Sequence, residues 1–152
     1  MKDETPRDIH IDWEGIWRYR GAEMHRKDIV RDLAGFLRKT EKGYCLDIPG
    51  IDYADIEVED TPLVVVSVDR QKTGEGERII LLLSDGREEM LNLHTLTISS
   101  ENVLYCTIRE GKLPCRFLRK SYYQLTRYLE YDETVDQYFL YLNGTRYIIK
   151  KD

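Results

Sequence analysis

LVVVSVDRQKTGEGERIILLLSDGREEMLNL, residues 63–93, is the stretch whose reading decides the fold. Leu63–Asp69 carries apolar residues on both faces, as a central strand covered on both sides would. RIILLLS at 78–84 repeats that pattern. The residues between, 71–77, carry Gly74 and Gly76 and read as a loop. Asp85-Gly86 is a hairpin-turn signal, so 87–93 is expected to return as a further strand.

Strands and short helices extend outward from this sheet. DIEVED (55–60) alternates apolar and acidic residues, giving one buried face and one wet, negative face before Thr61-Pro62 breaks it. YCLDI (44–48) is a strand that ends at the Pro49-Gly50 turn. Ile29, Val30, Leu33, Phe36 and Leu37 recur at helical spacing and predict about three to four turns. IHID (9–12) and IWRYR (16–20) flank Trp13-Glu14-Gly15 as a hairpin, and residues 1–8 are polar and expected to be loose. Past an ambiguous stretch at 94–102, NVLYCTI and KLPCRFL form a hairpin around Glu110-Gly111. Ser121 with Gln124 fits a capping box at the start of a second helix, over 121–131. QYFLYL, Asn143-Gly144 and TRYIIK make a closing hairpin.

Two stretches share one order: strand, Glu-Gly, strand, Arg-Lys, helix, then Tyr-x-Leu-x-[Ile/Leu]-x-Gly. Glu14-Gly15 and Glu110-Gly111 lie 96 positions apart, and the closing Gly50 and Gly144 lie 94 apart. The expected fold class is therefore α+β, with a duplicated strand–turn–strand–helix–strand core in mostly antiparallel sheets. The halves are expected at 9–93 and 94–152, packed as one unit with a groove between them.

Composition narrows the function. The 152 residues are 34% charged with a net charge of −5, which argues against an overall grip on nucleic acid or acidic lipid. The longest apolar runs, 63–66 and 79–83, are far short of a membrane span, and the N-terminal stretch has no apolar signal region. A cytoplasmic protein with reduced thiols is expected. Cys45, Cys106 and Cys115 match no zinc spacing and read as small buried hydrophobes. His10, His25 and His94 are scattered, so no metal site is expected. G-x-S-x-G, P-loop and G-x-G-x-x-G motifs are all missing, and no nucleophile–base pair can be named. No catalytic residue and no cofactor are assigned.

Arg26-Lys27 and Arg119-Lys120 each fall at a predicted helix N-terminus, where free N–H groups and cations favour a phosphate or carboxylate. Pairing with the acidic residues of 57–60, or solvation, is the alternative for these side chains. Trp17, Tyr19 and Tyr123 offer apolar or stacking surface, although packing is the commoner use of such rings. Glu59 and Asp60 are placed to orient the basic groups or to accept hydrogen bonds from a ligand. A solvated acidic strand is the plainer reading of both.

Asp12, Gly15, Trp17, Tyr19, Gly21, Met24, Arg26 and Lys27 form a block that resembles the opening of the bacterial family called domain of unknown function 1285. Ile56-Glu57-Val58-Glu59-Asp60-Thr61-Pro62 is similar to that family's second signature. Asp47-Ile48-Pro49-Gly50 departs from the family's turn after the third strand. The resemblance implies an α+β fold with a duplicated core and a C-terminal half similar to pleckstrin-homology-like folds. It also implies a nucleotide-like ligand between the halves and a role in signalling.

The sequence thus supports a non-catalytic module that binds a small anionic or nucleotide-like ligand through Trp17, Tyr19, Arg26, Lys27, Glu59, Asp60, Arg119, Lys120 and Tyr123. The alternative is a protein–protein interaction module using exposed strand edges, with a signalling protein as partner. An enzyme of unrecognised type has the least support. No nucleic-acid or membrane partner is expected.

Overall fold

The computed structural model describes residues 8–50 and 52–152. Residues 1–7, expected to be loose, lie outside the described residues. Asp8 is tied down, since Arg20 Nε donates to its carboxylate at 3.1 Å. The first sheet holds β1 (Ile9–Ile11), β2 (Trp17–Tyr19), β3 (Ala22–Glu23), β4 (Leu37–Thr40), β5 (Gly43–Ile48) and β6 (Asp52–Val58). Helix α1 (Lys27–Ala34) joins β3 to β4. The second sheet begins with β7 (Leu63–Thr73), β8 (Gly76–Leu83) and β9 (Glu88–Met90). A 3-10 turn at Leu93–Thr95 leads into its remaining strands, β10 (Thr97–Ile98), β11 (Leu104–Ile108), β12 (Leu113–Phe117), β13 (Glu130–Asp132), β14 (Gln137–Leu142) and β15 (Thr145–Lys151). Helix α2 (Arg119–Thr126) joins β12 to β13. The fold is α+β and rich in strands, and antiparallel pairs predominate.

The strand orders of the two sheets match. The first runs β3-β2-β1-β6-β5-β4. The second contains β12-β11-β10-β15-β14-β13 in that same order, followed on the β12 side by β7-β8-β9. In each set the first strand pairs in parallel with the last, β1 with β6 and β10 with β15. Each set also has its helix between the third and fourth strands.

The first turns match in detail. Asp12 Oδ1 accepts from the backbone N–H groups of Glu14 and Ile16, and Ser99 Oγ accepts from those of Glu101 and Val103. Gly15 (φ 81°) then stands where the second turn has Asn102 (φ 63°). The left-handed pair Arg20-Gly21 corresponds to Glu110-Gly111. Glu14-Gly15 and Glu110-Gly111 therefore occupy different turns, which corrects the pairing expected from sequence.

Three local expectations are also corrected. The 71–77 segment is a continuation of two strands around a two-residue turn, because Thr73 and Gly76 are register partners. Helix α1 stops at Ala34, and Leu37 pairs with Leu46 in β5, so the apolar stripe spans a helix and a strand. Ser121 and Gln124 form no capping box. Ser121 Oγ, fully buried, donates to Val65 O at 2.7 Å, and Gln124 Oε1 accepts from Val68 N at 2.7 Å. Both side chains fasten α2 to β7 on either side of its irregularity between Val65 and Ser67.

One apolar cluster runs through both sheets, from Ile11, Trp17 and Ala34 to Leu81, Leu104, Leu125 and Leu140. The sheet boundary falls between Val58 and Leu63, so the strands of residues 63–90 belong to the second sheet. Cys45, Cys106 and Cys115 are all buried free thiols. No helix among the described residues is long and apolar enough to cross a membrane.

Candidate functional site

The matched strand sets with their helices, β1–β6 with α1 and β10–β15 with α2, are called here the first and second unit. The first unit meets the central β7–β8 hairpin through the turn at 12–16. A Cβ added to Gly15 would lie 2.7 Å from Val64 Cγ2 and 3.3 Å from Ser84 Cβ, so only glycine allows this approach. Ser84 Oγ accepts from Val64 N at 3.0 Å and stiffens the opposing wall. Asp85, whose side chain is fully buried, follows it. Its Oδ2 accepts from Arg87 Nη1 at 2.7 Å and lies 3.4 Å from Arg109 Nη2. Both arginines then reach the C-terminal end of α1, Arg87 donating to Arg31 O at 2.9 Å and Arg109 to Ala34 O at 2.8 Å. Cations there satisfy carbonyls the helix leaves unpaired and complement its dipole. Burial lowers the Arg109 pKa, and Asp85 opposes that shift.

This clamp leaves a groove of about 380 Å³ between the first unit and the hairpin. Trp17, Met24 and Val30 line one wall, and Val66, Leu82 and Leu83 the other. Lys27, the first residue of α1, lines the groove and makes no ion pair or hydrogen bond among the described residues. Glu14, Glu23 and Asp85 add carboxylates, of which Asp85 is already compensated by two arginines. Trp17 is 2% exposed, and its Nε1 is a buried donor with no hydrogen-bond partner among the described residues. Such donors are rare in folded proteins.

Of the nine residues singled out in the sequence, the groove brings together Trp17 and Lys27. Arg26 turns away from it and makes a two-pronged contact with Asp28, at 2.7 and 3.0 Å. That hydrogen bonding raises the Arg26 pKa and lowers that of Asp28. Tyr19 is 40% exposed beneath the Arg20 guanidinium. Glu59 accepts from Trp13 N at 3.0 Å and lies 2.7 Å from His10 Nε2. Asp60 accepts from the Tyr105 hydroxyl at 2.9 Å and pairs with Arg116 at 3.1 Å. Burial, with help from Asp60, pushes Tyr105 up to about 12. Arg119 and Lys120 begin α2, with Arg119 over the ring of the exposed Tyr123 at 6.0 Å. None of these seven lines the groove.

Sequence reasoning missed Glu14, Glu23, Val66 and Ser84–Gly86 as groove residues. A signal did exist for part of the wall. Gly15, Trp17, Met24 and Lys27, all in the block that carries the family resemblance, line the groove together.

The molecule is thus a strand-rich α+β protein with a groove where the first sheet and α1 meet the central hairpin. No family model matches the chain, and no curated protein matches it. Solved structures do. A DUF1285 family protein from Silicibacter pomeroyi DSS-3 aligns with TM-score 0.76 and 21% identity, covering 99% of this chain and 90% of that one. A DUF1285 family protein from Shewanella baltica OS155 aligns with TM-score 0.67 and 20% identity, covering 80% of this chain and 91% of that one. The chain has the fold of the DUF1285 family, the family its sequence motifs resemble.

Proposed function

We propose that this chain is a non-catalytic module that binds a small ligand in the groove between its first unit and the β7–β8 hairpin. The observation that carries this is Lys27, an unpaired cation in the first turn of α1 beside an apolar cleft at a junction of units. Two further carboxylates, Glu14 and Glu23, the latter 3.8 Å from His25 Nδ1, weigh against a polyanion. They suit a ligand with one anionic group for Lys27 and hydrogen-bond donors elsewhere, as a nucleotide-like molecule has. The matched units are read as a duplication, and the C-terminal half, 94–152, as pleckstrin-homology-like. A cytoplasmic signalling role, in which occupancy is transmitted through α1, belongs to the same proposal.

Thermal unfolding against nucleotides, cyclic nucleotides, sugar phosphates and simple anions tests it. A ligand at about 100 times its Kd adds about 2.7 kcal/mol, or about 2–4 °C at this size. Lys27→Ala should abolish that shift while leaving the ligand-free midpoint unchanged. No shift across the panel contradicts the reading.

A second reading, a protein-interaction module, is favoured by the outer face of β14–β15. There Tyr141 and Ile148 are 46% and 43% exposed.

A further inference from the structure

The second unit holds a cavity of its own, of about 400 Å³, beside the β10–β11 turn, and it shares no lining residue with the groove at Lys27. In the first unit the equivalent turn is packed against Val64 and Ser84 through Gly15. In the second it lines an open space. Ile98 forms an apolar floor. Tyr131 and Tyr138, register partners on β13 and β14, form a wall with ring centroids 5.0 Å apart and planes tilted by 50°. They are 47% and 40% exposed, so their faces are available to a ligand.

The polar groups around this wall are mostly neutral and uncommitted. The Ser100 hydroxyl, the Asn102 side-chain amide and the Tyr138 hydroxyl make no hydrogen bond among the described residues. Ser99 Oγ accepts two backbone N–H groups and keeps its own O–H to donate. The charged pair is internally compensated. Asp136 accepts from the Tyr131 hydroxyl at 2.5 Å and from Lys151 Nζ at 2.8 Å. Those two bonds lower the Asp136 pKa and keep it an acceptor. Asp152, also on the lining, leaves one uncompensated negative charge, which disfavours an anion.

An apolar floor, a tyrosine wall and a rim of hydroxyl, amide and carboxylate groups match one ligand chemistry. It is a ring with C–H faces and many neutral hydroxyls. We propose that this cavity binds a neutral sugar ring, with Tyr131 and Tyr138 against its C–H face and Asn102, Ser100 and Asp136 on its hydroxyls. The site is separate from the groove and does not depend on the ligand proposed there.

Saturation-transfer NMR on the full chain with D-glucose, D-galactose, N-acetylglucosamine, maltose and cellobiose is the test. Inorganic phosphate and adenosine monophosphate serve as contrasting probes. Transfer to ring C–H protons of at least one sugar is expected. Tyr138→Ala should weaken it about threefold to tenfold, the scale of one aromatic contact. Asn102→Gly keeps the left-handed backbone and should also weaken transfer, so the outcome does not hinge on one variant folding. Lys27→Ala should leave the signal unchanged, which separates this site from the groove. No transfer to any sugar, transfer that survives both variants, or displacement of the sugar by phosphate overturns the proposal.

Discussion

The two units share a strand order and a first turn, yet they hold their helices by opposite means. Helix α2 is fastened along its length to strand β7, through the buried Ser121 and Leu125 and the half-buried Gln124. Helix α1 is gripped at its C-terminal end by Arg87 and Arg109, and its first turn borders a groove. The turns diverge in the same way. The first, with Gly15, is pressed against the central hairpin, whereas the second, with Asn102, opens onto a cavity. One topology therefore yields a structural helix in one place and a groove wall in the other. The difference lies in which residues from the rest of the chain reach each unit.

Removing the clamp should have the largest effect on this contrast. Asp85→Ala leaves Arg87 and Arg109 without their shared carboxylate. Breaking a buried ion pair costs about 3–5 kcal/mol, and the partial exposure of both arginines puts the expected loss near the lower value, about 3 kcal/mol. Urea unfolding measures it. Amide exchange should show α1 loosened more than α2, and equal loosening of both would contradict the clamp.

The turn contrast can be sharpened by exchange. Gly15→Asn adopts a backbone that Asn102 already tolerates, but its side chain meets Val64. The expected cost is about 1–3 kcal/mol from overpacking. The reciprocal Asn102→Gly should change stability by about 0.5 kcal/mol or less. Equal costs for the two would mean that Gly15 is required for its φ angle alone.

The smallest expected effect concerns the seam between β1 and β6. His10 lies between Glu59, 2.7 Å from Nε2, and Glu57, 3.4 Å from Nδ1, with Arg18 opposite it on β2. The hydrogen bond to Glu59 is the main cause of a raised His10 pKa. Both ring nitrogens must carry protons to donate to both carboxylates. The stabilisation is thus fully present below the unfolded histidine value of about 6.5 and is lost as pH rises through the higher folded value. NMR titration should place His10 above the unfolded histidine value of about 6.5 and show a higher protection factor at Ile11, relative to the intrinsic exchange rate, in acid than in base. A His10 value at or below about 6.5 would break the account.

Some of this was legible in the sequence. Val64–Val66 and Ile79–Leu83 announce buried strands because nothing else explains such runs in a charged chain. The hairpin beyond them, Gln71–Glu77, was not legible, because its exposed polar residues look like a loop while pairing as strands. Phe36 and Leu37 continued the helical stripe by composition alone, and no local signal separates them from α1. At the site, Trp17 and Lys27 were legible through their shared block. Arg26 was not separable from Lys27 until its partner Asp28 was seen. Asp85 read only as a turn residue, because its partner Arg109 is brought to it by tertiary structure.

The central claim is that the junction of the first unit with the central hairpin binds a small ligand. Amide chemical-shift mapping tests it most directly, with nucleoside monophosphates and sugar phosphates titrated into isotope-labelled protein. The account predicts that the largest changes fall together on Gly15, Lys27, Ser84 and Gly86, and that they vanish in Lys27→Ala. Changes centred instead on Arg119, Lys120 and Tyr123, or no saturable change with any of these ligands, would contradict it.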